Sequence, residues 1–349
     1  MSPRNGPLRI GIIGAGLMGA KHAEFLAREQ DARLVAVADP YSSALAERCG
    51  VPHVRSHQEL LARGDMDAVI IASPNQAHVT TAVDCLAAGV PALLEKPVAT
   101  SPAEADVLLA AEREHGVPLL VGHHRRHHPA VAAARDFVRG GGLGRLVAVN
   151  GLWLTKKDDA YFDQEWRRSK GAGVMLINLV HDLDLVRHIC GEITTVQART
   201  SNAVRGHEVE ETASVIVGFE SGALGSFLIS DTVVAPWGWD QATEDDPSFP
   251  YRPDGSCYSI AGTTGSLSFP QLAHYHHEGT SDWTRPLSTR FVPKGTGDSY
   301  TNQLRHFVAV ARGEAEPAVS VADAARTLAL IETAQRAAES GATETVGPR

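Results

Sequence analysis

The chain carries two rhythms of apolar and polar residues. From residue 8 to about 122, short apolar runs bounded by glycine, proline or aspartate alternate with amphipathic stretches. The short runs predict strands at 8–13, 33–38, 68–72, 91–94 and 118–121. The stretches between them predict helices at 20–29, 42–49, 58–63, 76–88 and 102–114. Gly89 is placed to end the fourth of these helices and Ser101 to cap the fifth. Strands that alternate with helices imply a parallel sheet covered on both faces.

The second half reads differently. A helix at 129–139 runs into Gly140-Gly141-Gly142. Residues 145–154 alternate as a strand does, and 171–190 are helical. Strand-like runs follow at 193–200, 213–219, 223–231 and 258–269 with no helix between them. This predicts a mostly antiparallel sheet with one face packed on helices. The acidic, aromatic, proline-bearing stretch 237–253 predicts a loop, and helices near 300–312 and 321–340 close the chain. The expected class is α/β, with a Rossmann dinucleotide-binding domain over 1–124 and an α+β domain over 125–349. The closing helix is expected to pack back on the first domain.

Composition narrows the partners. The 349 residues are ample for two cores, and 43% hydrophobic with 21% charged residues is ordinary for a globular protein. A net charge of −9 gives no electrostatic case for nucleic acid or an anionic membrane. The N-terminus lacks the apolar core of a signal peptide, and no apolar run reaches membrane-spanning length. Cys49, Cys85, Cys190 and Cys257 are widely spaced, which suits a reducing cytoplasm.

The first candidate chemistry is Gly14-Ala15-Gly16-Leu17-Met18-Gly19, between the first strand and the first helix. Gly14 allows the tight turn, Gly16 keeps the backbone bare for a pyrophosphate, and Gly19 lets helix and strand pack closely. Free N–H groups and the positive end of the helix dipole then face the phosphates. Asp39 ends the second strand, twenty residues after Gly19. A carboxylate there accepts both ribose hydroxyls of NAD and repels a 2′-phosphate, and Pro40 follows it instead of an arginine. NAD is therefore expected over NADP. Ligands of open parallel sheets sit beyond the carboxyl ends of the strands, where Ser73, Glu95 and Gly122 also fall.

GAGLMG, SPNQAH, EKP, VGHHRRHHP, the helix around His181 and AGTTGSL occur in this order over nearly the whole chain. Together they resemble the glucose-fructose oxidoreductase / inositol dehydrogenase / MocA family. The resemblance implies hydride transfer between a nicotinamide cofactor and a hydroxyl carbon of a sugar or cyclitol. It also implies a homodimer or homotetramer built through the C-terminal sheet. Lys96, in Glu95-Lys96-Pro97, falls on the lysine that bonds the reacting hydroxyl, before a proline whose peptide bond is often cis. An ammonium there stabilises developing alkoxide charge. His181 falls on the general base. Ser73, Pro74, Asn75 and His78 fall on the loop against ribose and nicotinamide, and Arg126 on the crossing between the domains, where it is expected to support the cofactor or the Glu95-Lys96-Pro97 turn. Trp166 and Arg167 border the sugar, with Lys156 and Tyr161 weaker candidates.

One departure stands out. The family commonly carries an aspartate four residues before the catalytic histidine, where this chain has Ile177. Asn178, three residues before His181, lies on the same side of the helix and bonds substrate or imidazole without carrying charge. Asp184 matches a family acid of structural type. The run His123 to His128 suggests a metal site, but two arginines interrupt it and no cysteine or carboxylate stands at zinc-site spacing, so no metal is expected. Two other readings stand beside the dehydrogenase: a nucleotide-binding sensor without turnover, and a glycosidase that oxidises its sugar transiently.

Overall fold

A computed structural model describes residues 6–169 and 172–347. The chain divides into two compact units, each with its own core. Of the described residues, one holds 6–124 together with Tyr300–Leu328; the other holds Arg125–Ser299 and 329–347.

The first unit is a six-stranded parallel sheet of β1 (Leu8–Ile13), β2 (Ala32–Ala38), β3 (His53–Val54), β4 (Ala68–Ile71), β5 (Ala92–Glu95) and β6 (Leu119–Gly122). Its order is β3-β2-β1-β4-β5-β6, so the winding reverses between β1 and β4. That switch point opens a crevice at the strand ends, where such sheets take ligands. β4, β5 and β6 are buried at every residue, as strands covered on both faces must be. Helices α1 (Leu17–Leu26), α2 (Ala44–Cys49), α3 (His57–Ala62), α4 (His78–Ala87) and α5 (Pro102–His115) connect the strands. The Ser101 hydroxyl caps α5 by accepting from Glu104 N at 3.3 Å. Leu304, Phe307, Val308, Val321 and Leu328 of the closing helices join this core. Two details differ from the sequence reading. The two-residue β3 is too short to show a period, and α4 is preceded by a 3-10 turn at Asn75–Ala77.

The second unit is a nine-stranded sheet of β7 (Leu146–Leu154), β8 (Ile193–Ser201), β9 (Thr212–Phe219), β10 (Leu224–Ser230), β11 (Tyr258–Gly262), β12 (Gly265–Phe269), β13 (Ala273–His276), β14 (Ser288–Phe291) and β15 (Glu344–Thr345). Every neighbouring pair is antiparallel except β7 with β10. Helices α6 (Pro129–Arg139) and α7 (Val180–Cys190) share a core with its inner face, around Trp153, Phe227, Tyr258, Leu183 and Val186.

The run 258–269 is a hairpin, not one strand, because Gly262 to Gly265 turn the chain. β13, β14 and β15 escape the apolar pattern, being polar segments at or near the two edges of the sheet. Within 237–253 lies a helical turn, Trp239–Ala242, whose Trp239 is buried and donates its indole N–H to Asp245. The expected helix start at Gly171 lies outside the described residues. Helical structure there begins with one π turn, Met175–Leu179, in which Val180 N reaches back to Met175 O.

Candidate functional site

In the first unit the glycine loop is shaped by contacts rather than by flexibility alone. Gly14 has φ +103°, and a side chain there would collide with the Ala72 carbonyl after β4. A side chain at Gly19 would collide with Gly14 O. Gly16 is the N-cap of α1, contributes no capping side chain, and faces open space. Leu17 beside it is exposed and Met18 half-buried. The first-turn N–H groups of α1 are thus left for a ligand, the arrangement that binds phosphate. The residues present fit a dinucleotide.

Asp39 does more than expected. Its Oδ2 accepts from Ala15 N at 2.8 Å, and Oδ1 accepts from Tyr41 N at 2.9 Å and Ser42 N at 3.0 Å. The carboxylate therefore also ties the glycine loop to the turn after β2. About four lone-pair directions exist on a carboxylate. Three are taken, which leaves one for a direct ribose contact instead of two.

A second cluster sits at the ends of β4, β5 and β6. Glu95 is buried and lies 2.7 Å from His22 Nε2 of α1. Burial raises the Glu95 carboxyl, but the His22 hydrogen bond and the charges of His22 and Lys96 outweigh it, so it ends below its ordinary value. The next residue, Lys96, is half-buried and joined to Pro97 by a cis bond. The His78 ring nitrogens lie 2.8 Å from Pro97 O and 2.9 Å from Ser73 O, which straps the turn after β4 to the turn after β5. Burial lowers its imidazole pKa. Pro74 and Asn75 are exposed on the same turn.

In the second unit α7 carries His181, which is buried. The helix entry is held by Glu210. Its carboxylate accepts from Met175 N at 3.0 Å and lies where a side chain on Gly173 would be. Asn178, in the π turn, is buried and accepts at Oδ1 from Lys157 Nζ at 3.0 Å. Lys157 also meets Asp231 Oδ2 at 3.3 Å, and Arg205 Nη1 meets Asp231 Oδ1 at 2.5 Å. Burial lowers the Lys157 ammonium below its ordinary value, with Asp231 opposing. Beside His181, Asp182 is fully buried against Arg125 and Tyr258. Burial pushes its carboxyl up to about 6, with the Arg125 charge and the Tyr258 hydrogen bond opposing.

The remaining candidates sit as follows. Arg126 is buried and donates bidentately to Asp184 of α7. Trp166 is exposed and donates to Gln164 Oε1 at 2.8 Å; Arg167 lies over the Tyr161 ring at 4.1 Å. Of the two adjacent lysines it is Lys157, not Lys156, that turns inward. The alternation of β7 carried past its end puts Lys157 on the side of Trp153, a signal the sequence reading passed over. His22, Glu210 and Asp231 belong to no motif, and Arg125 and Asp182 lie inside quoted motifs without being singled out. No group of three or more metal-ligating side chains gathers among the described residues.

Comparisons with known proteins agree with this fold. Residues 8–123 match the model of an oxidoreductase family with an NAD-binding Rossmann fold, and 131–268 match the GFO/IDH/MocA C-terminal domain. The chain is 28% identical to inositol 2-dehydrogenase of Rhizobium meliloti, over 94% of this chain and 96% of that protein. It is 30% identical to inositol 2-dehydrogenase 2 of Saccharopolyspora erythraea, over 90% and 88%. The WlbA dehydrogenase of Bordetella pertussis, solved with NADH and UDP-GlcNAcA, shares the fold with a TM-score of 0.80 at 22% identity, covering 99% of each chain. The chain belongs to the GFO/IDH/MocA family of oxidoreductases, which carry an NAD-binding Rossmann fold.

Proposed function

We propose that the protein is an NAD-dependent dehydrogenase of a sugar, a sugar derivative or an inositol, with Lys96 and His181 as its catalytic residues. The observation that carries the reading is the bare N-terminus of α1 at Gly16 beside the Asp39 carboxylate. Two relatives named inositol 2-dehydrogenase, matched over most of their length, support the substrate class.

When bound, NAD supplies the hydride acceptor. The backbone N–H groups after Gly16 hold its pyrophosphate, and Asp39 takes a ribose hydroxyl and excludes a 2′-phosphate. Ser73, Pro74, Asn75 and His78 shape the turn beside it, and Glu95 anchors the strand end that presents Lys96. The Lys96 Nζ donates to the reacting hydroxyl oxygen and stabilises its growing negative charge. An imidazole nitrogen of His181 accepts the hydroxyl proton. Trp166 and Arg167 border the substrate. Arg126 acts from a distance, by fixing α7 through Asp184.

No described helix is long and apolar enough to cross a membrane. The cysteines are free, which supports a cytoplasmic location. The apolar residues on the outer sheet face support a homodimer or homotetramer.

The test is NADH formation with a panel of inositols, aldoses and sugar acids. Turnover of a polyol is expected, with Lys96→Ala and His181→Ala each losing about two orders of magnitude or more while NADH still binds. Tight NADH binding without turnover on any compound would replace this reading with a sensor. Release of a sugar without net NADH would replace it with a transiently oxidising glycosidase.

A further inference from the structure

The contact between Lys157 and Asn178 decides which end of an amide faces the candidate site. An ammonium only donates, so at 3.0 Å it faces the amide oxygen of Asn178 and never its nitrogen. The ammonium is itself held. Its Nζ is 3.3 Å from Asp231 Oδ2 and lies over the Tyr161 ring at 4.7 Å. Its backbone N–H donates to Asp231 O at 3.0 Å, and Arg205 donates to both the Lys157 and the Asp231 carbonyls. Arg205 also pairs with the Asp231 carboxylate, so lysine, arginine and aspartate form one braced unit.

Asn178 is buried but for 9% of its surface, and the end of its amide that Lys157 does not take is Nδ2. With Lys157 on the oxygen, the nitrogen is the end of the amide left to donate to a ligand. Asn178 stands three residues before His181, in the π turn that leads into its helix. The preceding residue, Ile177, offers no polar group there.

We infer that Lys157 is a positioning residue. It locks the Asn178 amide so that Nδ2 donates to a second substrate oxygen, next to the hydroxyl deprotonated at His181. This rests on the dehydrogenase reading and deepens it. The favoured substrates carry a hydroxyl, keto or carboxylate oxygen on the carbon vicinal to the one oxidised. A compound with no oxygen at that carbon lacks this hydrogen bond and binds about tenfold more weakly.

The test has one arm that needs no turnover. In the full chain labelled with 15N-asparagine, the Asn178 side-chain amide is identified by its loss in Asn178→Ala. Lys157→Met is expected to shift and broaden that signal, and Lys157→Arg, which keeps a donor-only cation, to retain it. An unchanged signal in Lys157→Met overturns the positioning role, whether or not any substrate is ever turned over. The second arm uses the polyol turned over in the panel. Lys157→Met is expected to raise its KM about tenfold, the size of one hydrogen bond, with kcat nearly unchanged. In an Asn178→Ala background the same change is expected to have no further effect. Multiplying effects would show that Lys157 acts independently of the amide and would overturn the inference. Failure of the whole panel removes the dehydrogenase reading but leaves the first arm to decide this one.

Discussion

Nε and Nη2 of Arg126 donate to the two oxygens of Asp184 at 2.7 and 2.6 Å, both side chains almost fully buried. The pair binds the segment entering the second unit to α7, the helix of His181. Burial and the Arg126 charge push His188 down to about 3, so its neutral Nδ1 accepts from Arg126 Nη1 at 3.3 Å. Breaking one side of such a pair strands a buried charge, at about 3–5 kcal/mol. Asp184→Asn is therefore expected to lower unfolding free energy by about that amount in urea titration. NADH affinity of the folded fraction is expected to hold. A weakened affinity with normal stability would instead give Arg126 a direct cofactor contact.

The close approach at Gly19 gives a sharper test of the cofactor loop. A methyl group on residue 19 meets backbone, which cannot move aside as a side chain would. Gly19→Ala is expected to cost about 1–3 kcal/mol and to abolish NADH binding measured by fluorescence. A stable, binding Gly19→Ala protein would refute the loop geometry.

Asp39 serves both loop and ribose. Asp39→Ala is expected to weaken NADH by about tenfold or more and to narrow the gap to NADPH, read by parallel titrations. Because the variant also frees Ala15, Tyr41 and Ser42 N–H groups, a drop in melting temperature is expected with it. A wild-type protein that already prefers NADPH would contradict the assignment.

Glu95 sets a pH dependence. Its folded pKa lies below the unfolded value, so the folded state resists protonation there. The stabilisation is present above the unfolded pKa of about 4.3 and is lost as pH falls through the folded pKa. Melting temperature is expected to fall below that pH, and Glu95→Gln to be less stable near neutrality with a flatter acid limb. Equal acid limbs in the two proteins would mean that other carboxylates govern acid unfolding.

On the outer face of the large sheet, Ile216, Leu224 and Leu228 are exposed, with Leu228 paired between Leu152 and Ser214. Leu228→Arg is expected to dissociate the assembly to monomers in light scattering at unchanged melting cooperativity. A wild-type monomer at micromolar concentration would remove the proposed interface.

The first unit was legible almost element by element because its strands are buried on both faces and announce themselves as apolar runs. Ile10, Ile12, Val69 and Ile70 are such residues. The edge strand β14 and its neighbour β13 were not legible, since a strand half in water carries residues such as His276 and Arg290 that fit a loop equally well. The hairpin at Gly262 to Gly265 was hidden because apolar residues continue through both of its arms.

Among the candidate site residues, the glycines and Asp39 stand at fixed spacings around β1, α1 and β2, so the pattern is readable although Asp39 meets Ala15 24 positions away. The partners of Glu95, Asn178 and Arg126 were decided elsewhere. His22 is 73 positions from Glu95, Lys157 is 21 from Asn178, and Asp184 is 58 from Arg126. A linear pattern records what a residue is and which way its own strand or helix turns it. Which charge it meets across the core depends on packing between distant segments, and only the folded chain determines that.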